Sequence, residues 1–333
     1  MEPVVDLSAS IDQISRSALN RFTSVRLDRL VEYRENAQWV ARALASDAAR
    51  FVPLWRSRSL IAATPQGQMA VYLRPGELDN PASIQPPTLL GTDGKRYFFA
   101  VSINDQQRDE VLQNHPEARF LNLRLASVDM DAKHAGVLAY AKALHYWQHR
   151  NVFCGACGHP NRLQSSGHKL ICSNEECARH SFPRIDPAII VLVTHGKSCL
   201  LGRNANWPAR RFSTLAGFVE PGESLEDAVV REVFEEAGVR LKSIRYVSSQ
   251  PWPFPASSMC GFYAEAEHPQ SRPSEELEEL RWFTVEDLTK AVRQHEVLLA
   301  APVSIAFRLL ADWYKLQGGG DLDHLAKAAR GKA

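Results

Sequence analysis

Three glutamates, Glu232, Glu235 and Glu236, fall at i, i+3 and i+4 in the stretch REVFEEAGV. On a helix these positions share one face, so three carboxylates converge. Like charges at that spacing repel and weaken the helix. A divalent cation relieves the conflict, because clustered anionic oxygens suit hard ions such as Mg²⁺ or Mn²⁺. The competing reading is a solvated acidic face, the commoner fate of an isolated acidic triplet. Arg231 precedes the triplet and is placed to pair with Glu223, fixing the preceding loop against the helix.

A second group is built on sulfur. Cys154-x2-Cys157 is followed, after fourteen residues, by Cys172-x4-Cys177. Two close thiol pairs across a short loop match the spacing of a four-cysteine zinc ribbon. Four thiolates leave the metal no open position for water, so the role of such a site is structural. His159, His168 and His180 lie close enough in sequence to leave the fourth ligand open, and free or disulfide-bonded cysteines are the alternative. Cys199 and Cys260 sit among apolar residues and read as core.

A third stretch, Gln250–Ser257, reads QPWPFPAS. Its prolines exclude a helix and argue against a central strand. Two large rings are thereby held on a stiff, extended backbone. A structural loop, a proline-rich docking peptide and a recognition element for a flat ligand all fit. The prolines are spaced two apart and do not form the P-x-x-P pattern of SH3 ligands.

The acidic triplet needs a helix with defined ends. Pro221-Gly222 makes a turn, Ser224 caps, Asp227 completes a short capping box, and Gly238 stops the helix. Ala228, Val229, Val233 and Ala237 supply its apolar stripe. Upstream, AIIVLVT at Ala188–Thr194 reads as a buried strand. Ala132–Arg150 reads as a helix leading into the cysteine module, and Glu32–Ala49 as another. Two hairpins lie between them. Leu60–Ala63 and Met69–Leu73 flank PQGQ, and Thr88–Leu90 and Tyr97–Val101 flank Asp93-Gly94. The expected organisation is a mixed α+β N-terminal domain (1–128), a linking helix (129–150), a zinc ribbon (151–183), an α/β domain (184–317) and a flexible tail (318–333) after the Gly318–Gly320 break.

With 333 residues the chain is long enough for two or three cores, and its net charge of +1 gives no overall field toward nucleic acid or anionic membranes. The first residues lack the pattern of a secretory signal, no apolar run spans a bilayer, and the last residues form no organelle address. Six cysteines in such a chain do not form a secreted disulfide scaffold, so a reducing, cytoplasmic setting is expected.

The segment from Gly217 to Val239 reads G-x5-E-x7-R-E-V-x-E-E-x-G-V. It resembles the Nudix box at every defining position: Gly217, Glu223, Arg231, Glu232, Val233, Glu235, Glu236, Gly238 and Val239. The resemblance implies an α/β/α sandwich and metal-dependent hydrolysis of a nucleoside diphosphate linked to another group. It carries metal-ligand roles onto Glu232 and Glu236, makes Glu235 a further ligand or base, places Arg231 in the catalytic motif, and implies that the Ala216 carbonyl ligates metal.

SQPWPFPAS at Ser249–Ser257 is similar to the SQPWPFPxS motif of the NADH pyrophosphatase branch, whose members also carry a zinc ribbon and an N-terminal domain. That resemblance implies hydrolysis of NAD(H) to NMN(H) and AMP. It implies substrate contacts at Gln250, Pro251, Trp252, Pro253, Phe254, Pro255, Ala256, Ser257 and Ala306, and at Glu276, which also lies near metal. Phe218 matches a base-stacking ring. Phe182 matches its partner position, commonly Tyr, where the change keeps stacking and loses a phenol hydrogen bond. Arg124 matches a substrate-contacting arginine. NAD-capped RNA, cleaved at the same bond, is the related substrate, and a non-catalytic zinc-ribbon binding protein is the reading of another class. Homodimers are expected from the resemblance.

Overall fold

The computed structural model describes residues 13–23 and 25–330. They divide into two compact units. One comprises Phe22–Ile185 and Trp252–Ala256; the other comprises the residues up to Arg21, Asp186–Pro251 and those from Ser257 onward.

Helix α1 (Gln13–Ala18) opens the described chain and belongs to the second unit. The first unit is a six-stranded sheet of β1 (Ala49–Trp55), β2 (Arg58–Thr64), β3 (Gly67–Ala70), β4 (Thr88–Thr92), β5 (Tyr97–Ser102) and β6 (Ala118–Leu121). Its order is β3-β2-β1-β5-β4, with β6 also on β2. The β2–β3 and β4–β5 hairpins form as the turn residues predict. The central β1–β5 pairing is parallel, which no local pattern announces. Helices α2 (Ala37–Ala45) and α3 (Asp105–Asn114) share one core cluster with Phe51, Leu60 and Phe99. The short α4 (Leu123–Ala126) and the long α5 (Ala132–Arg150) share the other with Val52, Leu54 and Ile61.

Two expectations change here. The helix over Glu32–Ala49 is shorter, because Asn36 accepts a hydrogen bond from the Trp39 amide and starts α2 only at Ala37. The segment 129–150 is a core element rather than a link, since Ala135, Leu138, Ala141 and Leu144 of α5 are buried in the sheet's core. The cysteine module follows as a three-stranded sheet of β7 (Asn161–Gln164), β8 (Lys169–Cys172) and β9 (His180–Ser181).

The second unit is built around β10 (Asp186–His195). Its neighbours are β11 (Ser198–Asn204), β13 (Leu215–Phe218) and, in parallel, β15 (Ser257–Ala266). The sheet runs β14-β15-β10-β11-β16, where β14 is Leu241–Trp252 and β16 is Leu277–Phe283. A small ladder joins β12 (Arg211–Phe212) to β17 (Leu298–Leu299). Strand alternation sorts β10 between two layers. Ile189, Val191 and Val193 face α6 (Leu225–Ala237). Ile190 and Leu192 face α7 (Val285–Arg293), α8 (Ile305–Leu316) and α9 (Leu322–Arg330). This is an α/β/α sandwich. Part of the expected flexible tail is therefore helix: α9 repeats apolar residues at Leu322, Leu325, Ala326 and Ala329, and Leu322 and Ala326 are buried in the core. Among the described residues no helix is long and apolar enough to cross a membrane.

Candidate active site

Helix α6 has the ends its sequence predicts. Ser224 accepts from the Asp227 amide, Asp227 accepts from the Ser224 amide, and Gly238 closes the helix at φ 66°. Ala228, Val229, Val233 and Ala237 bury one stripe, which fixes the helix rotation and turns the glutamates toward β13.

Close approach at β13 depends on Gly217. A Cβ there would overlap the Glu232 carboxylate. Arg231 then ties the motif together. Its Nε and Nη2 donate to the two oxygens of Glu223 at 2.7 and 2.9 Å, and Nη2 also donates to the Phe218 carbonyl at 2.9 Å. Nη1 reaches Glu232 and Glu235, each at 3.0 Å. Glu223 also accepts from the Glu220 amide at 3.0 Å. The Arg231 guanidinium, helped by that amide, pulls the Glu223 carboxyl down to about 2. The loop–helix pairing expected from sequence is present in bidentate form.

Glu236 behaves in the opposite way. It is 9% exposed, and its Oε2 is buried with no hydrogen-bond partner. Burial, reinforced by the charges of Glu232 and Glu276, pushes its carboxyl up to about 8, opposed by a hydrogen bond from the Ala216 amide. Burial also raises Glu232. Glu235 and Glu276 are exposed and both act electrostatically on this pair. Arg231 thus stands between Glu232 and Glu235, and Glu232, Glu276 and Glu235 act electrostatically on Glu236. A buried anionic oxygen without a donor is costly, and a divalent cation with hard oxygen ligands is the group this donor set fits. The arrangement can hold cations and, through them, anionic phosphates.

The remaining predicted residues divide. Ala216 sits on β13 opposite Ile190, and Phe218 at the strand's end is 60% exposed and free to stack. Ala306 is buried in the first turn of α8, its amide donating to Ser304 Oγ at 3.2 Å. Gln250 is fully buried and its amide is spent on backbone groups, which leaves its side chain no donor for a ligand. Trp252 and Phe254 belong with the first unit, where both meet Phe22 edge-on at 6.1 and 5.5 Å. The Arg124 guanidinium lies 5.2 Å from the Trp252 ring and the Lys142 ammonium 5.9 Å from the Phe254 ring. Pro253 is buried, Pro251 and Pro255 are exposed, and Ala256 and Ser257 are half-buried, with Ser257 paired to Asp186. Phe182 is 64% exposed, with His180 edge-on to it.

The four cysteines come together. Their sulfurs all lie within 4.8 Å of one another, with Cys154–Cys177 at 3.8 Å and Cys157–Cys172 at 3.3 Å. Thiolates about 2.3 Å from a tetrahedral zinc stand about 3.8 Å apart, so this set fits the ion. The nearby histidines turn elsewhere: His168 Nε2 is 2.7 Å from the Leu89 carbonyl, and His159 Nδ1 is 3.3 Å from the Cys157 carbonyl. Sequence reasoning missed Phe22, a single aromatic residue with no pattern around it. It also missed the Glu220 amide on Glu223. An apolar cavity of about 370 Å³ beside Arg211 and His295 is lined by none of the acidic residues.

Comparison with known proteins agrees with this architecture. Residues 184–301 match the family described as NUDIX domain, and residues 48–147 match the NADH pyrophosphatase-like rudimentary NUDIX domain. The NAD-capped RNA hydrolase NudC of Pseudomonas aeruginosa is 43% identical over 210 residues, covering 63% of this chain and 74% of that protein. The NAD-capped RNA hydrolase NUDT12 of Homo sapiens is 38% identical over 238 residues, covering 67% of this chain and 51% of that protein. The chain therefore spans about half the length of the primate relatives it matches. A crystal structure of a NUDIX hydrolase from Nitrosomonas europaea aligns with a TM-score of 0.36 at 25% identity, covering 40% of this chain and 78% of that one.

Proposed function

Because the chain belongs to the Nudix hydrolase family, in the branch carrying a second, NADH pyrophosphatase-like Nudix domain, we propose that it hydrolyses the diphosphate bond of NAD(H), releasing NMN(H) and AMP. The observation that carries the reading is the buried, unpartnered Oε2 of Glu236, whose carboxyl is raised by burial and by the charges of Glu232, Glu276 and Glu235.

Glu232, Glu236 and the Ala216 carbonyl, with Glu235 and Glu276 at the edge, would hold the Mg²⁺ or Mn²⁺. Bound cations of this kind neutralise phosphate oxygens and lower the pKa of a bound water. Arg231 holds Glu223, Glu232 and Glu235 in register, so the carboxylates are oriented before substrate arrives. Glu235, which is exposed, is the candidate to take the proton of the attacking water. Phe218 offers an exposed ring for a base. Zinc in the four-thiol cluster would close a module too small for a core of its own.

The relatives' names favour a second reading at the same bond, removal of NAD caps from RNA. Competition between NAD-capped RNA and NADH separates the two, since capped RNA cleaved no better than NADH argues against the cap preference. AMP release from NADH with Mg²⁺ or Mn²⁺, lost in Glu236→Gln, tests the main reading. AMP production unchanged in that variant sinks the catalytic assignment, and no metal-dependent turnover at all leaves a non-catalytic binding protein. The expected homodimer is checked by gel filtration with light scattering, where a monomer alone contradicts it.

A further inference from the structure

The apolar cavity of about 370 Å³ lies wholly within the second unit, and the acidic cluster contributes nothing to its lining. Val292 lines it from the end of α7, Val297 from the segment leading into β17, and Ala326 and Ala329 from α9. The two alanines stand three apart and so share a face of their helix. At both positions α9 presents a methyl group where a leucine would fill the space. Folded interiors are packed closely enough that gaps wider than a water molecule are few. A cavity with aliphatic walls gives water few partners, and this one has the size of a small-molecule site.

Two polar side chains interrupt the apolar lining: Arg211 from β12 and His295 from the turn after α7. Both are half-buried. Among the described residues neither side chain has a hydrogen-bond or ion-pair partner, and the Arg211 guanidinium lies 5.8 Å from the Trp207 ring. Arg210 is committed instead. Its Nη1 donates to the His295 carbonyl at 3.0 Å, and its own carbonyl accepts from the Leu298 amide at 2.7 Å. These bonds tie together two residues in the left-handed region that non-glycine residues rarely enter, Arg210 at φ 66° and His295 at φ 58°. The backbone that carries Arg211 and His295 is thus fixed before any ligand arrives, which lowers the ordering cost of binding.

We propose that this cavity is a second ligand site, for an aliphatic carboxylate whose head pairs with Arg211 and whose chain fills the space between α7 and α9. A guanidinium fork takes a carboxylate through two parallel hydrogen bonds, and the His295 imidazole has an N–H to add. One guanidinium balances one negative charge, which suits a carboxylate better than a phosphate dianion. None of the described lining residues is Phe, Tyr or Trp, so the cavity offers a chain its walls and offers a nucleotide base no ring to stack on. The site stands whether or not the acidic cluster turns over NAD(H).

Calorimetric titration of the full chain with hexanoate, octanoate and decanoate tests this, with octanol as the uncharged match of octanoate. Octanoate is expected to saturate one site per chain. Affinity should rise about fourfold with each added methylene until the cavity is full. Arg211→Gln should weaken octanoate about ten- to a hundredfold, the usual loss for a hydrogen bond to a charged group, and bring it level with octanol. Ala329→Phe occupies the space and should abolish octanoate binding. Should that variant not fold, the charge arm decides alone, because the Arg211 side chain holds no hydrogen bond or ion pair whose loss would unfold the protein. Octanoate bound as tightly by Arg211→Gln as by the wild type, or octanol bound as tightly as octanoate by the wild type, overturns the proposal. So does the absence of saturable binding by any of the three acids.

Discussion

Glu236 is a carboxylate that its surroundings make costly to ionise. Burial and the neighbouring Glu232 and Glu276 raise its pKa to about 8 in the cation-free protein. Between the ordinary carboxylate range and that value, the folded protein holds a proton that the unfolded chain has released. Its contribution to stability is full below the ordinary pKa and is lost as pH rises through about 8. Thermal melts without added cation should therefore fall from about pH 5 to about pH 8.5, with a shallower slope in Glu236→Gln and a smaller fall when Mg²⁺ is present. An equal slope in wild type and variant contradicts the assignment. Gly217 is the steric counterpart. Gly217→Ala drives a methyl group into the Glu232 carboxylate. Activity on NADH should drop by about a hundredfold or more while any zinc content stays constant, because the misplacement is confined to the candidate cation ligands.

At the scale of elements, the sequence carried most of what positions the site. The ends of α6 were readable because capping is local: Ser224, Asp227 and Gly238 act within one turn of themselves. Helix α5 was readable from its residue pattern, and the two N-terminal hairpins from their turn residues, which are local signals too. The parallel β1–β5 pairing and the core role of α5 were not, since each depends on partners distant in sequence. Helix α9 was hidden behind three glycines that suggested a break, although its own apolar repeat was present. Two tests belong at this scale. Ser224→Ala should cost about 0.5–2 kcal/mol of stability, measured by denaturant unfolding, because it removes the acceptor for the Asp227 amide. Metal chelation should open the β7–β9 module to proteolysis if an ion held by the four clustered thiols closes it, and unchanged proteolysis contradicts a structural zinc.

For the whole molecule, the stretch QPWPFPAS shows where sequence reading stops. Its stiffness was legible, and so was its alternation of rings and prolines. The fate of each side chain was not: Gln250 is consumed by backbone in one unit, while Trp252 and Phe254 pack on Phe22 in the other. The first unit also carries its own response to acid. His145 is buried against Ser102 and His149, and burial first, then the neighbouring charges, lowers its pKa to about 3. His168 lies against the Leu89 carbonyl, and burial lowers it to about 4. Both rings are neutral in the folded unit at pH values where the unfolded chain has taken up a proton. The unfolded state then binds more protons, so stability rises with pH; it is complete above the ordinary histidine pKa and is lost as pH falls through about 4 and about 3. Melting followed from about pH 7.5 to about pH 5 should show a steady loss for the wild type. His145→Asn with His168→Gln should start lower and lose less over the same range. Any response of the four clustered thiols to acid acts on both proteins alike, so the difference between the two slopes isolates the histidines. Parallel slopes would show that these rings are not what makes the first unit sensitive to acid.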